Sequence, residues 1–217
     1  MINKNEPLPK YMNNDYYECY AKVVLEELYP EEFVNLEIKD KPDLQTSDGK
    51  CGIEVTNARE QDQINAENVY SDICYNRVRD KKGSLAKIKK CGGNLEGGVL
   101  AGKPGKDSFD LILEAFKIKL NKLNGNGYKY FKWNWLFIFS DIYANDRMIM
   151  KATQEMQNIQ LVMEKQFYKV VILVPGYCYC LKLYNGIYEI NTIESNVQSI
   201  HATKARELVV KKYEKKE

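Results

Sequence analysis

The chain has 217 residues, 44% hydrophobic and 29% charged, with a formal net charge of +2 and a single histidine. This balance argues for an ordinary folded protein against a disordered one, and the length suits one large α/β or α+β domain. With no long apolar run and no apolar signal region at the N-terminus, neither a membrane span nor a secretory leader is expected, and a cytoplasmic location is.

In chain order, Tyr17, Tyr20, Ala21, Val24 and Leu28 form the stripe of an amphipathic helix over 14–29, which Pro30 ends. An extended segment over 35–39 follows, then a hairpin at Asp48-Gly49, the signal for a two-residue type I′ loop. A second helix is expected over 62–78, with Ala66, Val69, Tyr70 and Ile73 on its apolar face.

Residues 91–106 carry so many glycines that a loop is expected. Gly97, Gly102 and Lys103 come close to a phosphate-binding G-x-x-x-x-G-K pattern, but Pro104 stands where Ser or Thr would bind Mg²⁺. Proline also keeps Lys103 from opening a helix, so a nucleotide site is not expected there.

Helix resumes near Ser108, with Phe109, Ile112, Leu113, Phe116, Leu120 and Leu123 inward and Lys117, Lys119 and Lys122 on the other side. Residues 135–140 and 170–174 are continuous apolar runs, as in strands buried on both faces, and a helix over 146–166 between them makes a parallel βαβ unit. Cys178 and Cys180 are read as two residues of one buried strand face rather than zinc ligands, and the six dispersed cysteines fit a reducing compartment. A hairpin at Asn185-Gly186, with Lys182 opposite Glu189, and a helix over 203–213 complete the chain.

The charge is unevenly distributed. Residues 1–72 hold 16 acidic and 7 basic side chains, net −9, whereas residues 73–132 hold 14 basic and 5 acidic, net +9. Arg77, Arg79, Lys81, Lys82, Lys87, Lys89 and Lys90 are the candidate phosphate contacts within the basic portion. Lysines interleave with aromatics over 128–135, a pattern that serves either as a stacking platform for single strands or as the entry to a buried strand.

The hairpin carries the chemistry. With Asp48-Gly49 as the loop, Leu44 faces Ile53, Gln45 faces Gly52, and Asp43 faces Glu54. Opposed carboxylates repel at a Cβ separation of about 5 Å, and oxygen-rich clusters suit Mg²⁺ or Mn²⁺. Leu44, Ile53 and Val55 then line the other, apolar face.

Pro42-Asp43 followed by Glu54-Val55-Thr56 resembles the PD-(D/E)xK nuclease superfamily, with Thr56 in place of the usual lysine. The resemblance implies a restriction-endonuclease-like α/β fold, a mixed central sheet flanked by helices. Its core would span about 14–175 of a single domain over 1–217, and the hairpin and helix of 176–217 would form a C-terminal extension.

It further implies a Mg²⁺- or Mn²⁺-dependent nuclease hydrolysing phosphodiesters of DNA rather than RNA. Asp43, Glu54 and the carbonyl of Val55 would hold the metal, joined by a glutamate of the first helix, Glu18 or Glu27, with Glu18 preferred. For the lysine's role the candidates are Lys41, opposite Thr56 in the expected register, Thr56 itself, Gln61, Gln63, and the lysines at 87, 89 and 90. The alternative is a non-catalytic module of the same fold that binds nucleic acid or protein, and a homodimer is compatible with either.

Overall fold

The computed structural model describes residues 6–101 and 108–214, so Gly102, Lys103 and Pro104 of the phosphate-loop-like pattern lie outside the described residues. In chain order come α1 (Asn13–Leu28), β1 (Glu37–Ile38), β2 (Leu44–Gln45), β3 (Cys51–Asn57), α2 (Gln61–Cys74), α3 (Lys81–Lys90), β4 (Asn94–Glu96) and β5 (Val99–Ala101). There follow α4 (Asp110–Leu123), β6 (Trp133–Phe139), α5 (Asp146–Gln160), β7 (Lys169–Val174), β8 (Tyr177–Lys182), β9 (Ile187–Thr192) and α6 (Ser195–Glu214). Contacts separate two compact units. Of the described residues, the larger comprises 8–58 and 108–214, the smaller 6–7 and 59–101.

The larger unit is a seven-stranded mixed sheet in the order β1-β2-β3-β6-β7-β8-β9, with β3, β6 and β7 mutually parallel and the remaining pairs antiparallel. The βαβ expectation for β6, α5 and β7 therefore holds. Alternation along β6 explains why its sequence is apolar throughout: Leu136 and Ile138 pack on one side with Phe116 of α4 and Met156 of α5, and Trp135, Phe137 and Phe139 pack on the other with Val24 and Leu25 of α1. Cys178 and Cys180 both lie fully buried on the α1 side, as the strand reading required. All six cysteines are free thiols.

The hairpin register holds at Leu44 with Ile53 and Gln45 with Gly52, and Leu44, Ile53 and Val55 share the α1-side core. Its loop is not the two-residue type I′ turn, because only Gly49 has positive φ (69°). Thr46 and Cys51 close a four-residue loop in which the Asp48 carboxylate accepts from the Thr46 hydroxyl and the Lys50 N–H. A four-residue loop preserves the register of a two-residue one when both are centred on the same pair.

The C-terminal hairpin differs more. Lys182 pairs with Ile187 and Cys180 with Glu189, a shift of two residues from the expected register. Leu183 is 3% exposed and donates its N–H to the Tyr168 carbonyl, so it stays in the core and the turn widens to 183–186. Lys182 still meets Glu189, now diagonally.

The second helix ends at Cys74, short of 78, where Asn76 takes positive φ (54°). The third core helix ends at Gln160, short of 166, and the last begins at Ser195, ahead of 203. In the smaller unit α3 goes beyond the elements expected from periodicity. Asp80 caps it by accepting from the Gly83 N–H, and Ser84 and Ile88 form its buried side. Gly97 and Gly98, with φ of 59° and 85°, close a β4–β5 hairpin where a loop was expected.

Leu136 is fully buried between the sheet and the α4–α5 layer. Leu136→Ala is expected to lower the unfolding free energy in urea by about 2–5 kcal/mol, through lost burial and the cavity left behind.

Candidate functional site

Pro42 and Asp43 are placed by a strand that tolerates close approach. A Cβ on Gly52 would lie 2.6 Å from both the Pro42 ring and the Phe131 ring, so only glycine lets these two rings sit against β3. Asp43 then reaches past the end of β2, where its Oδ2 accepts from the N–H of Val55 at 2.7 Å. The Asp43 side chain is 17% exposed.

Glu54, next in β3, is 1% exposed and points to the α4 side. Its Oε2 accepts from Lys119 Nζ at 2.6 Å and Lys122 Nζ at 3.0 Å, and its Oε1 accepts from the hydroxyl of Tyr128. Burial alone would push its carboxyl up; the Lys119 charge and the three donors outweigh this and hold it below the ordinary value. The Tyr128 hydroxyl is raised by the same burial and by its bond to Glu54.

Lys119 joins the two acidic residues. Its Nζ is 4.0 Å from Asp43 Oδ2 as well as 2.6 Å from Glu54. The sequence placed Lys119 and Lys122 on the solvent side of α4; both stand at the border of the apolar stripe, beside Leu120 and Leu123, from which a long side chain reaches the sheet. The signal was the i, i+3 spacing of two lysines along that border.

A cleft of about 290 Å³ opens beside the C-terminal half of β3, lined by Asn14, Tyr17 and Glu18 of α1, by Asp43, by Val55, Thr56 and Asn57, and by Lys119. Of the expected metal ligands it gathers Glu18, Asp43 and Val55, with Thr56 beside them. Glu27, the other α1 candidate, turns elsewhere, 3.0 Å from His201 Nε2 and 3.5 Å from Lys204 Nζ. The Glu18 carboxyl is pushed up to about 7 by burial and by the charges of Asp43 and Asp15. Asp43 is raised by burial and by Glu54, against the Val55 N–H and Lys119. The Oδ1 of Asn57 is buried without a hydrogen-bond partner.

Among the described residues no three His, Cys, Asp or Glu side chains converge as a ready-made metal cage. The oxygen donors of the cleft nonetheless suit a hard cation: two carboxylates whose charge is disfavoured and a strand carbonyl. Glu54 fits less well, since its oxygens already take three donors.

Lys41, of positive φ (57°), lies outside β2, its ammonium 3.9 Å from Asp40 and its side chain 61% exposed. Gln61 and Gln63 belong to the smaller unit, where they donate to Asn65 and Glu67 of their own helix. Arg77, Arg79, Lys81, Lys82, Lys87, Lys89 and Lys90 also belong to that unit and are all exposed, with Arg77 2.7 Å from Glu6. The aromatic stretch at 128–135 divides: Tyr128, Phe131 and Trp135 are buried, whereas Tyr130 is exposed and Trp133 partly so.

Glu54→Gln removes the anion that pairs with both lysines and is expected to cost about 3 kcal/mol of stability at pH 7. Because the folded-state pKa of Glu54 is depressed, this contribution is present above the ordinary value of 4.5 and lost as pH falls below it through the folded value. Urea titrations should therefore show the parent and variant converging at acid pH. No protein-family model matches the chain, and neither a curated protein nor a solved structure matches it.

Proposed function

We infer that the protein is a divalent-metal-dependent phosphodiester hydrolase acting on DNA, with the cleft beside β3 as its active site. One observation supports this reading above the others: two carboxylates with raised pKa, Asp43 and Glu18, face one cleft together with the ammonium of Lys119. Carboxylates held close at a cost are relieved by a shared cation. Asp43, Glu18 and the Val55 carbonyl would hold it. A bound Mg²⁺ or Mn²⁺ supplies a more acidic water and neutralises charge developing on the phosphate.

The chain's own groups do the rest. Asp43 is oriented by the Val55 N–H, which leaves its other oxygen for the cleft. Lys119, fixed by Glu54, presents a positive charge beside Asp43 and takes from α4 the part that the resemblance gives to a lysine at the position of Thr56. It would orient water and offset charge on the departing phosphate oxygen. The exposed basic side chains of the smaller unit are of the kind that a phosphate backbone attracts.

With Mg²⁺ or Mn²⁺, plasmid and linear DNA are expected to be cleaved, and Asp43→Asn and Lys119→Met to reduce the rate about 100-fold or more. Asn at 43 keeps an oxygen for the Val55 N–H, so the test does not hinge on lost folding. Cleavage by Asp43→Asn at the parental rate overturns the assignment; metal binding without cleavage in the parent favours the non-catalytic alternative.

A second expectation concerns pH. A folded carboxyl at about 7 binds its proton more tightly than the unfolded chain does, so Glu18 lowers stability as pH rises from 4.5 to about 7. Glu18→Gln is expected to gain thermal stability relative to the parent across that window. Mg²⁺ at pH 8 should raise the melting temperature of the parent and leave that of Glu18→Gln nearly unchanged.

A further inference from the structure

At the other end of β3, a second pocket of about 350 Å³ opens at the N-terminal ends of β3, β6 and β7. Its walls include Trp133, Tyr168 and Tyr184, and its floor includes Lys169 and Glu32. Along β3 the two linings are separated by four residue steps, from Cys51 to Val55, roughly 13 Å at the usual strand rise.

The aromatic wall contains one stacked pair. Tyr168 and Tyr184 lie parallel, with centroids 4.2 Å apart and planes 7° apart, and Trp133 packs against Tyr168 at 4.5 Å with its plane tilted by 46°. Tyr184 sits in the widened β8–β9 turn and is 51% exposed, so the stacked pair ends at the solvent. Core packing does not account for a tyrosine held parallel to its neighbour at a solvent-facing hairpin tip.

The floor is polar, with Lys169 buried and its partner Glu32 exposed over 47% of its side chain. Lys169 is 6% exposed and its Nζ lies 2.9 and 3.0 Å from the two Glu32 oxygens and 4.2 Å from the Trp135 ring centroid. A cationic donor and an anionic acceptor side by side match the mixed donor–acceptor edge of a heterocyclic base. Lys132 lies over Trp133 at 5.0 Å and is the positive charge at hand for the attached phosphate, since Lys50 in the lining is paired with Asp48 at 3.0 Å.

We propose that this pocket binds an unpaired nucleobase of a single-stranded nucleic acid, stacked on the Trp133–Tyr168–Tyr184 wall with its polar edge toward Lys169 and Glu32. A sugar ring would also lie on an aromatic wall, and glucose therefore serves as the control ligand. The proposal shares with the proposed function the class of ligand and does not depend on cleavage. It gives the 128–135 stretch a partial role in stacking, carried by Trp133 and its neighbour Lys132 rather than by the whole segment.

Trp133 and Trp135, the only tryptophans, both line the pocket, so intrinsic fluorescence reads it directly. The full chain is titrated in EDTA with a single-stranded deoxyoligonucleotide of about ten residues, with the corresponding duplex, and with glucose. Saturable quenching by the single strand and none by duplex or glucose is expected. Tyr184→Ala and Trp133→Ala should weaken binding about 10- to 100-fold, and Trp133→Phe by only a few-fold.

Tyr184 is half exposed, and circular dichroism of Tyr184→Ala establishes that the fold persists. Absence of saturable quenching, equal binding of duplex, quenching by glucose, or parental affinity in Tyr184→Ala would each overturn the proposal. Because EDTA removes divalent cations, base binding is measured independently of cleavage, and either property can fail without the other.

Discussion

A carboxylate with 1% of its surface exposed, in the middle of a sheet, must be neutralised by its neighbours. For Glu54 the neutralisation comes from three donors, two on α4 and one in the segment that follows it. This constraint sets much else. It draws α4 against β3 by charge at one edge while Ile112, Phe116 and Leu120 draw it against the sheet by apolar burial. It also brings Lys119, a long and otherwise solvent-seeking side chain, to within 4.0 Å of Asp43. Without Glu54 the lysine would have no reason to lie beside an acidic cleft rather than in water.

The two acidic residues of the hairpin therefore have unequal roles. Asp43 faces the cleft and Glu54 stands behind it, acting on the cleft through the lysine it holds. Glu18, contributed by α1, lines the cleft together with Asp43. This division follows from strand alternation: Glu54 points to the α4 side, whereas Asp43 sits beyond the end of β2, where the chain is no longer bound to a strand's facing rule and its carboxylate can turn toward the edge of β3.

Much of the fold was legible in the sequence because periodicity reports burial directly. The stripes of α1, α4 and α5 and the unbroken apolar runs of β6 and β7 left little choice. The β2–β3 register was legible too, since it depends on the centre of the turn and not on the turn's type. What failed depended on forces outside the local pattern. The β8–β9 register yielded to the burial of Leu183. Helix α3, rich in lysine and containing glycine, is held by its Asp80 cap and a narrow buried side rather than by a full stripe. The β4–β5 hairpin was obscured because the same glycines that suggested irregular chain also permit its turn. Lys119 was missed because helix periodicity assigns a direction to a Cβ, and four further carbons can reverse it.

The ion pairs of Glu54 close the chain over separations of 65 and 68 residues, and most of the smaller unit lies between those ends. The larger unit is thus riveted on both sides of the place where the chain departs after Ala58. Loop closure grows only logarithmically with length, so doubling such a segment adds only about 0.6 kcal/mol. The intervening residues are in this sense a cassette, free to change in length and content while the sheet and cleft keep their form. Change within the inserted segment therefore leaves the groups that line the cleft in place.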